Sequence, residues 1–467
     1  MSDEIIWMSA IELGDAIRKR TLSPVEAVEA ILARIDEVNP RVNAIVTRTD
    51  ELAREQAQAA EQAVMRGEPL GPLHGVPLTI KDLEETAGIR TTFGSRLYES
   101  YVPERDHPMV ARLKRAGAIL LGKTNTPEFG LLPLTDNVCF GPTRTPWDLE
   151  RNAGGSSGGA AAAVASGMGP LATGSDGGGS IRTPSSFNSV FGLKPQLGRV
   201  ANTHTIPGWE TLSVVGPISR SVRDAARMLD AVKGPDPRDR RSLPDTGESF
   251  EAACEEGVAG LRLAWSPDLG HLAVEPEIRA VCAEAARRFE KLGCSVQEVQ
   301  PRIGDLGEVL ATIVICETAA ALEDRRGEWE EVMFPPLKGF LAMQGQFATR
   351  DLLRAHWKRD WLAAELAPLF EDYDALLTPQ MPVTAPPIGQ LNVREIDGQA
   401  VDPIGFVGFT FPFNLTGQPA ASVPVGFDGR GLPIGLQLVG RRFGEATLLR
   451  LAAACEAAHP WTERPPL

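Results

Sequence analysis

Hydrophobic positions along this chain switch repeatedly between a period near 3.6 and a period of two. Residues 9–38 carry two helical patterns. The second opens with Ser23-Pro24-Val25-Glu26, the spacing of a capping box with proline in the first turn. Ala27, Val28, Ile31, Leu32 and Ile35 then form one apolar stripe. Residues 43–46 fit a short strand, and residues 50–66, rich in Ala, Glu and Gln, fit a helix. Val76, Leu78 and Ile80 alternate as in a strand, which ends at Lys81. A helical pattern through Met109, Val110 and Leu113 and an apolar run over 118–121 complete a β-α-β unit, predicting a parallel pair.

Residues 124–153 break into a long polar loop rich in Pro and Gly, and such stretches inside compact domains often carry function. A small-residue helix over 158–165 and a short strand over 171–173 follow. Further on, a helix near 221–232, a strand over 261–265, a helix near 275–292 and a strand over 294–299 continue the alternation. A strand over 375–379, a hairpin whose arms are 421–426 and 434–439, and a closing helix near 444–458 end it. The pattern predicts an α/β protein, read as one domain over residues 1–467, with neither repeat nor linker.

Composition narrows the function classes. The 467 residues are 43% hydrophobic and 23% charged, ordinary for a globular chain, and the net charge of −14 argues against a nucleic-acid partner. No apolar run reaches the length of a membrane span, and the acidic N-terminus does not resemble a secretion signal. The six cysteines are scattered without a C-x-x-C, which predicts reduced thiols and a cytoplasmic protein. The scattered histidines give no metal motif. Neither a metal nor a cofactor is expected.

Chemistry concentrates between Gly154 and Pro195, where Gly, Ser and Ala dominate. A flexible linker does not account for the run Ala160-Ala161-Ala162-Ala163-Val164-Ala165. Ser156 lies in G-G-S-S-G-G, and Ser180 ends the tight turn Asp176-Gly177-Gly178-Gly179-Ser180, where several N–H groups can converge on one oxygen. Gly155 to Gly159 also satisfies G-x-S-x-G with Ser157 at its centre. A nucleophile elbow follows a buried strand, however, and WDLERNAG is not one. Asp82, next to Lys81, reads either as its ion partner or as a cap of the following turn.

These segments together resemble the amidase signature family. Lys81-Asp82 after a strand, Gly154 to Gly159, Asp176 to Pro184 and Gly192-Leu193-Lys194-Pro195 match its pattern in order, with 24 positions from Ser156 to Ser180. Thr91 to Ser95, Lys123 to Phe129, Pro146-Trp147-Asp148 and Phe413 to Ala420 agree as well, so the likeness spans most of the chain. Ala153, Ser185, Ser189 and Gln196 depart from the usual residues and remove no reacting group.

The resemblance implies a three-layer α/β/α fold with a large twisted mixed sheet, its signature core at about 70–220. It implies a Ser-Ser-Lys triad in which Ser180 is the nucleophile, Ser156 the relay, joined by a cis peptide, and Lys81 the base. The N–H groups of Gly177, Gly178, Gly179 and Ser180 would form an oxyanion hole, with Gly130 also in the oxyanion and substrate-binding set. Ser157 would support the triad, and Asp176 and Arg182 would hold the turn as an ion pair. Lysine ordinarily ionises near about 10.4, so the base must be buried among hydroxyls, without a close carboxylate, to accept a proton at neutral pH.

Residues 305–370 concentrate Trp329, Met333, Phe334, Phe340, Met343, Phe347, Trp357 and Trp361. They read either as ordinary helix core or as an apolar wall of the substrate channel. The activity implied is hydrolysis of small amides, extending to anilides or carbamates, by a protein that is a homodimer if it follows its common relatives. The alternatives are the A subunit of a tRNA-dependent glutamine amidotransferase and a non-enzymatic binding protein on the same scaffold.

Overall fold

The computed structural model describes residues 2–203 and 209–467. Its frame is an eleven-stranded mixed sheet. In chain order the strands are β1 (Ile45–Arg48), β2 (Pro77–Lys81), β3 (Ile119–Thr124), β4 (Leu171–Asp176), β5 (Phe191–Lys194) and β6 (Val214–Ser219). They continue as β7 (Arg262–Trp265), β8 (Ser295–Glu298), β9 (Ala375–Pro379), β10 (Ala420–Phe427) and β11 (Pro433–Gly440). Across the sheet they run β1-β3-β2-β4-β6-β5-β10-β11-β9-β7-β8. The pairs β3–β2, β2–β4, β9–β7 and β7–β8 are parallel and the others antiparallel.

Alternation along the central strands builds the layers. In β3, Leu120 enters one apolar cluster, while Ile119 and Leu121 enter another with Ile31, Ile35 and Ala162. In β4, Leu171 and Ala172 likewise enter different clusters. Successive side chains of a strand point to opposite faces, so the sheet is covered on both. The helices over Pro24–Val42 and Gly158–Ala165 supply one cover, and the helices over Val222–Val232 and Pro276–Lys291 supply part of the other. This is the α/β sandwich expected.

The local signals hold with small shifts. Ser23 Oγ accepts the Val25 N–H at 3.0 Å and Glu26 returns the bond to the Ser23 N–H at 3.0 Å, opening the helix Pro24–Val42. Asn43, read as the start of a strand, instead ends that helix with φ +57°, and the strand begins two residues later. The expected β-α-β unit is present, with β2 and β3 parallel in register Leu78↔Leu120. The long segment 124–153 is not wholly irregular, since Arg144–Thr145 and Asp148–Asn152 pair as a short antiparallel ladder. Among the described residues no helix is long and apolar enough to cross a membrane.

The parallel pairing of β2 with β4, in register Thr79↔Ala172, has a direct consequence for chemistry. It sends Lys81 and Asp176, the last residues of the two strands, out of the same edge of the sheet. Open α/β sheets bind ligands outside such carboxyl ends.

Candidate active site

Lys81 is fully buried, and its position is fixed from β4: the Lys81 N–H donates to Thr173 Oγ1 at 2.8 Å. Its Nζ reaches three hydroxyls, Ser156 Oγ at 2.8 Å, Ser157 Oγ at 2.8 Å and Ser175 Oγ at 2.9 Å. No carboxylate pairs with it among the described residues. Burial pulls the ammonium from 10.5 to about 7, against the more distant Glu84 and Asp176, which favour the charged form.

Asp82 is not its partner. It sits 3.7 Å from Lys123 and accepts from the Thr92 N–H and hydroxyl at 3.1 and 2.5 Å, so it belongs to a separate buried group behind the strand end.

Ser156 follows a cis Gly155–Ser156 peptide. Ser157 stands at the start of the helix Gly158–Ala165, its N–H on the Ser180 carbonyl at 3.1 Å. The Ser157 hydroxyl donates to the Ser175 carbonyl at 3.2 Å, so its proton is committed. That leaves the Ser156 and Ser175 hydroxyls able to donate to a neutral Lys81 amine. Ser175 was not singled out in the sequence. It precedes Asp176 in β4 and joins the cluster only through the pairing with β2.

The turn 176–180 is tied down by the Asp176 carboxylate. Oδ1 accepts from the Gly179 N–H at 2.7 Å, Asn414 Nδ2 at 2.9 Å and Arg182 Nη2 at 3.0 Å. Oδ2 accepts from the Ile181 N–H at 3.1 Å and Arg182 Nε at 2.9 Å. Burial alone would raise this carboxyl, but the Arg182 guanidinium beside it holds it well below the usual carboxylate range. The expected ion pair is thus present and fully buried, with Arg182 also anchored on the Thr410 carbonyl, Gln437 and Asn414.

The geometry shows which N–H groups of the expected oxyanion and substrate-binding set are already engaged. The Gly179 N–H is spent on Asp176, because the side chain folds back over its own turn. The Gly130 N–H is spent on the Pro127 carbonyl at 2.9 Å, although Gly130 does border the cleft beside Ser156. The N–H groups of Gly177, Gly178 and Ser180 have no acceptor among the described residues and are free to donate to a ligand.

Gly179 is required for the turn rather than for the substrate. Its φ is +131°, and a Cβ there would lie 2.4 Å from Thr410 Oγ1. Gly179→Ala is expected to cost about 1–3 kcal/mol of stability, measured by denaturant unfolding. An unchanged midpoint would show that the turn does not need glycine there.

Ser180 opens on a cleft of about 720 Å³, its mouth included, shared with Ser156, Ser175 and Gly177. Leu83, Phe93, Phe129, Trp209 and Val215 supply its apolar wall. Trp209 presses on the turn so closely that a Cβ on Gly177 would fall 2.5 Å from its ring.

Among the described residues, those of the segment 305–370 contribute only Thr318 to this lining. Trp329, Met333 and Leu337 are core residues, while Trp357 and Trp361 are exposed on the helix Thr349–Asp372. The helix-core reading therefore accounts for Trp329 and Met333, and the aromatic wall comes from elsewhere. The segment still acts on the cleft at one remove. Glu128 accepts from Trp329 Nε1 at 3.0 Å and the Phe334 N–H at 2.7 Å, and Trp329 packs edge-on against Phe129 at 5.3 Å.

Comparison with known proteins agrees with this architecture. The Amidase family model matches residues 26–449. An acylamidase of Rhodococcus erythropolis is 39% identical over 98% of this chain and 97% of its own. The A subunit of the glutamyl-tRNA(Gln) amidotransferase of Moorella thermoacetica is 38% identical over 99% of each. The crystal structure of a bacterial aryl acylamidase of the amidase signature family superposes with a TM-score of 0.93 at 32% identity, covering 98% of this chain and 97% of that one. With the family model matched over most of the chain and relatives matched end to end, the chain belongs to the amidase signature family of amide-cleaving hydrolases.

Proposed function

We propose that this enzyme cleaves small amides with an apolar acyl or aryl group, extending to anilides and carbamates, through an acyl-enzyme on Ser180. The observation that carries the reading is the Lys81 amine, fully buried, unpaired with any carboxylate among the described residues and seated on three hydroxyls. Ser180 Oγ attacks the carbonyl carbon while its proton passes through Ser156 to Lys81. Negative charge on the carbonyl oxygen is met by the N–H groups of Gly177, Gly178 and Ser180, each such donor contributing about 2.7–4 kcal/mol. The tetrahedral adduct collapses, the C–N bond breaks, and the amine leaves with the proton returned through Ser156. Water then hydrolyses the ester by the same route, and the acid departs.

The base must be unprotonated, so the sign of the pH dependence is fixed. With Lys81 ionising at about 7, kcat/KM is expected to fall as pH drops through 7, about tenfold per unit below it. A profile flat down to about pH 5 would remove Lys81 from the role of base.

The similarity to amidotransferase A subunits supports a second reading, release of ammonia from glutamine for a partner enzyme. The apolar lining of Phe93, Phe129 and Trp209 favours the first. The chain purified alone is expected to hydrolyse an aryl amide and to be labelled on Ser180 by a fluorophosphonate. Glutaminase activity that appears only with an added partner would reverse the choice.

A further inference from the structure

Glu84 lies three residues beyond Lys81, in the turn that leaves β2, with its N–H on the Lys81 carbonyl at 3.0 Å. It is 2% exposed and borders the cleft together with Ser156, Ser175 and Ser180. Its backbone carbonyl is held by Lys123 Nζ at 2.6 Å. Its Oε2 takes the hydroxyl of Thr173, the same hydroxyl that accepts the Lys81 N–H. Glu84 is therefore held at its backbone carbonyl and at one carboxyl oxygen. Its other oxygen, Oε1, is buried and has no hydrogen-bond partner.

Buried carboxylate oxygens are paired as a rule, because an unpaired one gives up water without replacement. The other titratable group lining the cleft among the described residues does not share this property. His107 Nδ1 accepts the Met109 N–H at 3.2 Å, and its Nε2 is engaged with Asn202 Oδ1 at 3.0 Å. Beside the apolar side chains of Leu83, Phe93, Phe129 and Trp209, a carboxyl held by one oxygen, with the other unpaired, offers a hydrogen-bonding group at the cleft wall.

We infer that Glu84 Oε1 receives a hydrogen-bond donor of the substrate, an N–H or O–H group close to the scissile carbonyl. The inference rests on the proposed reading that the amide is cleaved in this cleft. It assigns the substrate class more closely: an apolar amide that carries a polar donor beside its reacting bond. The donor comes either from the scissile amide N–H itself or from a hydroxyl or amine on the acyl chain.

Matched substrates separate these sources. One pair is an anilide and its N-methyl analogue. The other is an anilide with an α-hydroxyl on the acyl group and its α-methyl counterpart. The ratio of kcat/KM within each pair is measured for the wild type, Glu84→Gln and Glu84→Leu. For the pair that differs in the recognised donor, Glu84→Leu is expected to reduce the ratio by about ten- to a hundredfold, with Glu84→Gln in between. A general loss from disturbing Lys81 through Thr173 changes both members of a pair alike and leaves the ratio unmoved. Ratios unchanged in both pairs would overturn the inference, whatever happens to the absolute rates. If Glu84→Leu does not fold, the isosteric Glu84→Gln is judged on the same ratios. Ser180→Ala run in parallel keeps the two readings apart. Activity surviving in Ser180→Ala overturns the acyl-enzyme mechanism, whereas activity lost there with unchanged Glu84 ratios overturns only this inference.

Discussion

Lys81→Ala and Ser180→Ala are each expected to lower kcat/KM for an aryl amide by about 10⁴-fold or more while leaving a folded protein. The size follows from the way the parts act as one unit. Without the amine, the Ser156 hydroxyl has no acceptor for a proton, and Ser180 is left as an ordinary alcohol. Without Ser180, no acyl-enzyme forms, and only binding and the turn donors remain. The double variant is expected to lose little more than either single one, because each already breaks the same proton route. Circular dichroism and thermal melts separate this from unfolding, and fluorophosphonate labelling reads the nucleophile directly. Near-normal hydrolysis by Lys81→Ala at neutral pH would exclude the mechanism.

The same residues show how far the sequence could be read. Lys81 was legible because a strand pattern ends on it, and Ser156 and Ser180 because each sits in a glycine-rich segment with a recognisable order. The alternation of Ile119, Leu120 and Leu121 was legible as a buried strand, and the β-α-β unit around it followed from spacing alone. The partner of Asp82 was not legible, because the choice between Lys81 and Lys123 depends on which face of β2 and β3 each side chain takes. The register of those strands is irregular between Leu78 and Ile80, which periodicity does not record.

The cleft was least legible. Its apolar wall is assembled from Leu83, Phe93, Phe129, Trp209 and Val215, and although Phe93 and Phe129 lie in recognisable segments, nothing in the sequence marks the five as neighbours. The conspicuous aromatic segment 305–370 drew attention instead, yet Trp329 is buried and reaches the cleft only by holding Glu128 and packing on Phe129. Ser175 and Glu84 were missed for a related reason. A serine before an aspartate and a glutamate after a leucine carry no signal until β2 and β4 are placed side by side. Local turn chemistry misled as well, since the glycine run after Asp176 looks like a uniform row of donors. Asp176 folds back and consumes the N–H of Gly179, so the row is not uniform.

That hold of Asp176 on its turn makes Arg182→Met the variant with the largest expected effect on stability. Asp176 and Arg182 are both fully buried, and the guanidinium supplies the charge that keeps the carboxylate ionised. Removing it leaves an unpaired carboxylate in the interior, which costs about 3–5 kcal/mol. The sign of the pH dependence distinguishes this from loss of packing. In the wild type the Asp176 carboxyl is held below its ordinary range, so its stabilising contribution is present at neutral pH and is lost only in acid. In Arg182→Met, burial raises the same carboxyl with only the less closely placed Lys194 to oppose it, and the variant regains stability by taking up a proton as the pH falls. The difference in unfolding free energy between the two proteins is therefore expected to be largest near neutral pH and to narrow on acidification. Urea unfolding at several pH values measures it directly, and a deficit that is small or independent of pH would mean that the pair does not hold the turn. Activity should fall with stability but not in proportion. The turn that carries the N–H groups of Gly177, Gly178 and Ser180 is tied down through Gly179 and Ile181 by the same carboxylate that Arg182 fixes, so the folded fraction of the variant is expected to show reduced kcat at nearly unchanged KM.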